Sequence, residues 1–420
     1  MLFEENLGNG LVFRTVRSES DIERYVAFNT TYNNIHEGQT CDCLLRHHPE
    51  TSWSDYWFIE NEGSSEIVST TCLIPWTCHY EGINLKMAML EMVLTQPAYR
   101  GQGLVRAQIN RFSQQVQARN FDLSVIWGIP YYYRQFGYGY CLDGHVFESL
   151  PAGRIPEATT RAHSAYRLRP AVLDDIPRLG DLYRASLASL QLCVLRDPKY
   201  WEYLLRWARY PVEILEDVQS SEIAGYAVIS RSPGDQSIRI LESGISRGEV
   251  GLALLRLLKI ETGKEILVAW PETSTLAQLA RSLGSQTVPG GQWLLRIPDV
   301  ARFLVRIGPV LESRLAASVW RGLTIDFILN LFRQAFQLRF VDGKLVSVEP
   351  LGFVDTSMGA DGGHLCIPPE AFLRLVYGYR GLVELRDAWP DIMIKPEVRH
   401  LVEVLFPGMQ SYLHMPFHAS

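Results

Sequence analysis

The sequence is poor in cysteine and has no surplus of positive charge. Seven cysteines in 420 residues, an odd number scattered over the whole chain, make a disulfide framework unlikely and imply reduced thiols. Forty Lys and Arg against 46 Asp and Glu leave a net charge of -6. A counterion-driven nucleic-acid binder needs a concentrated basic excess, so no nucleic-acid partner is expected and a basic substrate is electrostatically easier. No window is apolar over a membrane-spanning length, which gives no reason to expect a membrane partner. Residues 1–6 carry acids early and lack an apolar stretch of signal-peptide length, so the expected compartment is the cytoplasm. Low-complexity runs are also missing, and 47% apolar with 20% charged residues is the composition of a folded chain. Ligand-type side chains gather only at Cys41, Cys43, His47 and His48. Their CxC spacing has no matching second half, so no metal site is expected there but a mobile loop on the substrate side.

What is present reads as mixed α and β structure in more than one domain, since 420 residues exceed what one hydrophobic core serves. Residues 11–17 alternate like a half-buried strand. Ser20 and Asp21 then cap an amphipathic run with Ile22, Tyr25, Val26 and Phe28 on one face. A similar opening recurs at 166–170, followed by Asp174, Asp175, Ile176 and Pro177 and a helical spacing of Leu179, Leu182 and Tyr183. With a one-residue gap, Phe13-Arg14 and Asp21-Ile22 align with Tyr166-Arg167 and Asp175-Ile176, the mark of a tandem repeat. After Pro298 long helical patterns lead into two strand-like runs joined by the hairpin signal Asp342-Gly343. Helical patterns follow from Pro368-Pro369 and around Val398, Leu401, Val402 and Leu405. The expected division is therefore 1–150, 151–298 and 299–420.

The most informative stretch begins at 88–94, a strand-like run closed by Pro97, which cannot donate to a ladder. Arg100-Gly101-Gln102-Gly103-Leu104-Val105 leads directly into a helix with apolar positions Leu104, Ile109, Phe112 and Val116. Glycines let the backbone turn with its N–H groups inward, and a helix N-terminus adds unpaired donors and partial positive charge. An anionic pyrophosphate would be held there. A strand follows at 123–127, and then Tyr133-Arg134-Gln135-Phe136-Gly137-Tyr138.

In this order the chain resembles the GCN5-related N-acetyltransferase (GNAT) superfamily, whose pattern is Gln/Arg-x-x-Gly-x-Gly/Ala after a strand and Tyr-x-x-x-Gly-Phe later. Arg100 takes the leading position and Gly103 the central glycine. Val105 stands where the family usually has Gly or Ala, a departure. Tyr133 matches the family tyrosine. The length, the repeat and the texture of the last third resemble the enhanced-intracellular-survival (Eis) type, with two tandem GNAT domains followed by a sterol-carrier-protein-like α+β domain. Residues 133–139, Tyr-Arg-Gln-Phe-Gly-Tyr-Gly, resemble the Tyr-Gly-Arg-Phe-Gly-Tyr-Gly run of that type. The resemblance implies acetyl-CoA as cosubstrate, held by Val93, Leu94 and Thr95 along the strand edge and by Arg100, Gly101, Gln102, Gly103, Leu104 and Val105 at the turn. It also implies a homo-oligomer, a hexamer in the family. The second copy has Glu249 where phosphate would approach, so one acyl-CoA site per chain is expected.

The implied reaction is acetyl transfer to a primary amine of a small molecule or peptide, such as an aminoglycoside, a polyamine or a lysine side chain. Tyr133 is the candidate general acid for the departing thiolate, because a phenol of pKa ~10 is protonated at neutral pH. Two bases compete. Glu91 lies two residues before Val93, so strand alternation puts it on the face of the acyl-binding edge. The Eis-type resemblance instead implicates the C-terminal carboxylate, here that of Ser420, although the extension His418-Ala419-Ser420 departs from a terminal aromatic residue. The competing readings are a non-catalytic acyl-CoA sensor or scaffold, and a lipid-binding module in the C-terminal domain with Leu373, Val376 and Leu405 lining a cavity.

Overall fold

The computed structural model describes residues 3–157, 165–231, 236–356 and 362–414. The first sheet grows from five successive antiparallel strands: β1 (Glu4–Gly8), β2 (Leu11–Thr15), β3 (Tyr56–Asn61), β4 (Glu66–Tyr80) and β5 (Ile83–Thr95). Helices α1 (Glu19–Tyr32) and α2 (Ile35–His47) connect β2 to β3. The next connection passes through α3 (Leu104–Ala118), so β6 (Leu123–Ile126) pairs parallel with β5. Strand β7 (Gly139–Gly144) lies at the far edge.

A second sheet takes β8 (Phe147–Leu150), β9 (Tyr166–Pro170), β11 (Val212–Asp217), β12 (Ile223–Ser230), β13 (Ser237–Gly244), β14 (Glu265–Ala269) and β15 (Gln286–Val288), in the order β15-β8-β14-β13-β12-β11-β9. Helices α4 (Ile176–Leu187), α5 (Pro198–Trp207), α6 (Gly248–Thr262) and α7 (Thr275–Ser282) connect its strands. The short strand β10 (Leu192–Val194) leaves that sheet and pairs with β4 of the first.

The two sheets also exchange strands. β16 (Gly291–Arg296), which follows the whole second sheet in sequence, inserts between β6 and β7 of the first. Conversely β8, which follows β7 directly, pairs with β14 and β15 of the second. Leu294 of β16 is fully buried in the cluster that also holds Leu104, Ile109 and Phe112 of α3.

The third part carries α8 (Val300–Arg306), α9 (Gly308–Ala316), β17 (Ile325–Asn330), β18 (Ala335–Val341), β19 (Lys344–Gly352), β20 (Leu365–Cys366), α10 (Pro369–Val376), α11 (Leu382–Ala388), β21 (Met393–Ile394) and α12 (Arg399–Leu405). Its sheet runs β19-β18-β17-β20-β21. Asp342 and Gly343 join β18 to β19 with φ of 49° and 75°, the left-handed pair that a two-residue hairpin turn requires. Leu373, Val376 and Leu405 are buried members of the main core cluster.

The repeat legible in the sequence is present with a different register. Arg14 makes a two-pronged pair with Asp21 (2.8 and 2.9 Å) and reaches Glu60 through Nε (2.5 Å). Arg169 repeats the arrangement with Asp175 (2.8 and 3.0 Å) and Glu216 (2.5 Å). The partner of Arg14 is thus Arg169, not Arg167, because the side chain must stand on the strand position that faces the start of the following helix. The same demand moves the α1 cap. Ser18, rather than Ser20 or Asp21, accepts from the Asp21 N–H, which leaves the Asp21 carboxylate for Arg14 and the Arg17 N–H.

Strand exchange carries a direct expectation. A fragment ending at residue 150 has no β16 to bridge β6 and β7, and should lack a cooperative thermal transition by circular dichroism. The 420-residue chain should show one.

Candidate active site

The site is organised by the end of one ladder. β5 and β6 pair at Met87↔Leu123, Ala88↔Ser124 and Met89↔Val125, where the ladder ends, while β5 itself runs on to Thr95. Beyond that rung the edge of β5 carries Glu91, Met92, Val93, Leu94 and Thr95. On its other side β5 stays paired with β4 through Cys72↔Glu91, Thr70↔Leu94 and Ser69↔Thr95. Residues 92 and 93 together oppose Thr71, a β-bulge, and Met92 has φ 53°. An extra residue tightens the local twist and turns the strand away from its neighbour.

This bulge corrects the alternation argument for Glu91. Cross-strand partners share a face, so Glu91 lies with Cys72, on the side of the sheet covered by α1 and α2. Val93 packs on the opposite side, with the cluster of Leu104, Phe112 and Tyr133. The extra residue reverses the alternation after Glu91. Leu94 packs on the Cys72 side, and Thr95 is buried with its hydroxyl 2.7 Å from Ser69 Oγ.

After β5 the chain turns through Arg100 to Gly103. Arg100 is exposed and its Nε donates to Thr95 O at 3.4 Å; Gln102 is exposed as well. Gly101 and Gly103 have φ of 78° and 80°, which L-residues rarely adopt, and a Cβ at either would meet nothing within 4 Å. The turn is bare toward solvent, with Gly103 at the N-cap of α3, as a cradle for an anion needs. Leu104 is buried in the core. The departure at Val105 is harmless to the turn, because its side chain packs against the same core cluster. Ile109, Phe112 and Val116 of α3 are buried at the expected spacing.

Tyr133 follows β6 in a single tight turn, Tyr132–Phe136, closed by Gly137 at φ 83°. Its ring is buried against the backbone of Gly128, where a Cβ would lie 2.2 Å from Tyr133 Cδ2. No hydrogen bond engages its hydroxyl among the described residues. Burial first, and then the charge of Glu91, raise its pKa, so the phenol keeps its proton. Burial, with the nearby Glu37, pushes Glu91 up to about 8, against a weak hydrogen bond from the Met92 N–H. Glu91 and Tyr133 thus belong to opposite faces of the sheet and still influence each other, through the gap where β5 and β6 part.

The repeat supplies an internal comparison. β13 and β14 also pair in parallel and stop at Ile240↔Val268, and the residue two beyond that rung is Glu242, as Glu91 is two beyond Met89↔Val125. Arg196 grips Glu242 with two bonds of 2.7 Å, and the Tyr226 hydroxyl donates at 2.8 Å. Burial opposes its charge, but Arg196, His414 and these hydrogen bonds prevail and hold the Glu242 pKa below its ordinary value. At Gly244 a Cβ would lie 2.0 Å from the Tyr226 ring, so this cleft is filled. Glu249, in the first turn of α6, pairs with Arg247 at 3.3 Å where the first copy has its bare glycine turn.

Residues 41–48 are not a loop: Cys41, Cys43 and His47 are on α2, and His48 is its C-cap. Cys41 is buried, Cys43 contacts Tyr203 and the Trp207 carbonyl, His47 stacks on Trp207 at 3.6 Å, and His48 is buried against Trp76, Tyr200 and Tyr203. Cys43 and His47, four residues apart, share the face of α2 that meets Trp207, whereas Cys41 is buried in the core. Among the described residues no group of three or more His, Cys, Asp or Glu converges on a point. His418 and Ser420 lie outside the described residues.

Several site residues carried no motif. Gly128 gives Tyr133 its seat, and Arg296 of β16 donates to Ser113 on α3 at 3.1 Å. From the third part, Glu370 pairs with Arg134 at 2.5 Å and Arg374 donates to the Tyr140 carbonyl at 2.8 Å, bracing the tyrosine turn from outside.

Residues 14–141 match the family model described as an acetyltransferase (GNAT) domain. This segment, which holds the glycine turn, the bulged strand and Tyr133, is a GNAT acetyltransferase domain. Over 96% of its length the chain shares its fold with three solved structures of which 99% is covered. These are a GCN5-related N-acetyltransferase from Anabaena variabilis (16% identity, TM-score 0.69), a probable N-acyltransferase from Enterococcus faecalis (12%, 0.69) and Eis1 from Mycobacterium abscessus (15%, 0.61). The α+β architecture of tandem GNAT folds is therefore the architecture of this chain. A search of curated protein sequences finds no match.

Gly128 offers a test of the tyrosine's seat. Gly128→Ala should lower kcat about tenfold or more by displacing the ring, since misplacement by ~1 Å can cost ~100-fold. Binding of CoA, measured by calorimetry, should stay within about twofold of the parent, because the turn at 100–103 is untouched.

Proposed function

We propose that the protein transfers the acetyl group of acetyl-CoA to a primary amine of a small molecule or peptide, of the aminoglycoside, polyamine or lysine type, by direct attack. The observation that carries this reading is the meeting of three elements at one gap: the bulged edge Val93–Thr95, the unengaged Tyr133 hydroxyl, and Glu91 on the opposite face. The glycine turn at α3 takes the pyrophosphate, and the β5 edge takes the pantetheine arm as a neighbouring strand would. Backbone N–H groups at the bulge face the negative charge that develops on the thioester oxygen. The amine arrives on the Glu91 side, loses a proton to Glu91 and attacks through the gap. Tyr133 gives its proton to the departing thiolate on the other side.

Of the two candidate bases the scheme uses Glu91. An ordinary carboxylate is a poor acceptor for an ammonium proton, and a carboxyl titrating near 8 is far better matched. The contrast with Glu242, neutralised by Arg196, supports one acyl-CoA site per chain. The division into 1–150, 151–298 and 299–420 belongs to the same proposal, amended by the exchange of β8 and β16. So do a sterol-carrier-like third domain that braces the tyrosine turn, a homo-oligomer and a cytoplasmic location.

Thiol release from acetyl-CoA with a panel of aminoglycosides, polyamines and lysine peptides tests the reading. Amine-dependent release is expected; CoA binding without release by any amine would point to an acyl-CoA sensor. Tyr133→Phe should lower kcat by ~10²-fold or more with little change in CoA affinity.

Glu91 also makes a pH signature. The kcat/KM profile should rise through about pH 8, and that limb should vanish in Glu91→Gln. Stability should move the opposite way. The folded state holds the Glu91 proton up to about pH 8 and the unfolded chain releases it near the ordinary 4.5. Charging Glu91 therefore destabilises the fold as pH rises between these values. Glu91→Gln should raise Tm more at pH 8 than at pH 5.

A further inference from the structure

A bulge disrupts the ladder locally, and the carbonyls of β5 around this one accept bonds from side-chain donors. β4 supplies them from three consecutive side chains, each fully buried. The Ser69 hydroxyl reaches Leu94 O at 2.9 Å, Thr70 Oγ1 donates to Met92 O at 2.9 Å, and Thr71 Oγ1 donates more weakly to Glu91 O at 3.4 Å. Ser69 Oγ also lies 2.7 Å from Thr95 Oγ1 and 3.1 Å from Gln108 Oε1 on α3, so the row runs from the bulge to the helix that carries the glycine turn.

Thr70 stands at the critical point. Its acceptor belongs to Met92, whose φ of 53° is left-handed without the freedom of glycine. An L-residue leaves that conformation readily unless its neighbours hold it. Among side-chain contacts the Met92 N–H has a long one of 3.4 Å with Glu91 Oε2, and the Met92 carbonyl has the short bond from Thr70.

We infer that Thr70 is a positioning residue for acyl transfer: its hydroxyl holds the Met92 peptide so that the β5 edge faces the thioester and Glu91 faces the amine. The inference rests on the acyl-transfer reading of the same gap. Thr70 touches neither acetyl-CoA nor the amine in this scheme and acts only through the strand beside it.

The row has a chemical logic that valine or isoleucine would not have. A β-branched residue suits a buried strand on packing alone. Thr70 and valine have nearly the same shape, so a substitution between them isolates the hydroxyl. Serine keeps the hydroxyl and gives up the methyl.

The test uses the 420-residue protein, with thiol release from acetyl-CoA at saturating amine and calorimetric binding of CoA. Thr70→Val should lose about tenfold to a hundredfold in kcat, the range expected when reacting groups shift by ~1 Å. Its CoA affinity should stay within about twofold of the parent, and Thr70→Ser should recover most of the kcat. Thr70→Ala carries the same expectation as valine and serves if valine does not fold. The inference is overturned if Thr70→Val turns over like the parent, if serine is as impaired as valine, or if kcat and CoA affinity fall together. Absence of thiol release by the parent with every amine would instead sink the acetyl-transfer reading, which separates the two failures.

Discussion

Everything the catalytic half does follows from two strands that stop pairing. A sheet satisfies its backbone by keeping strands ~4.8 Å apart, and a ladder that ends inside the molecule leaves a row of polar groups without partners. Here the ladder of β5 and β6 ends at Met89↔Val125, and the bulge at residues 92 and 93 swings the free edge outward. A guest with an extended, amide-bearing arm completes that edge as a strand would. In the proposed scheme the opening serves at once as a groove for the pantetheine arm and as a passage between the two faces of the sheet.

The second copy shows how the same opening is put out of use. Glu242 occupies the position of Glu91 but is held by Arg196 and Tyr226, and the Tyr226 ring lies against Gly244. A buried charge without a partner is costly, so a carboxyl in such a cleft either keeps its proton or acquires a cation. In the second copy Arg196 supplies the cation for Glu242, while in the first burial raises the Glu91 pKa.

Much of this was readable in the sequence where local rules govern. The glycine turn, the apolar face of α3, the hairpin at Asp342-Gly343 and the tyrosine turn all stand where residue type and spacing put them. The repeat was readable only to within two residues, because Arg167 and Arg169 are equally plausible on paper and only the start of α4 distinguishes them. The bulge left no mark, since its left-handed residue is methionine where a glycine would have drawn notice. Ser69, Thr70 and Thr71 read as ordinary strand residues, for their work depends on carbonyls 20 or more positions away. The exchange of β8 and β16 was invisible for the same reason. Strand pairing across such distances is decided by which edges are open, and no local pattern records that.

That exchange has a consequence for synthesis on the ribosome. The sheet that carries the bulged strand remains split between β6 and β7 until β16 emerges, about 150 residues after β7. At ~5–20 residues per second this is a wait of roughly 7 to 30 s, during which two apolar strand edges face the cell without their partner. The acyl-CoA half is made first and finished late, so the nascent chain must shelter an incomplete sheet while its second half is translated.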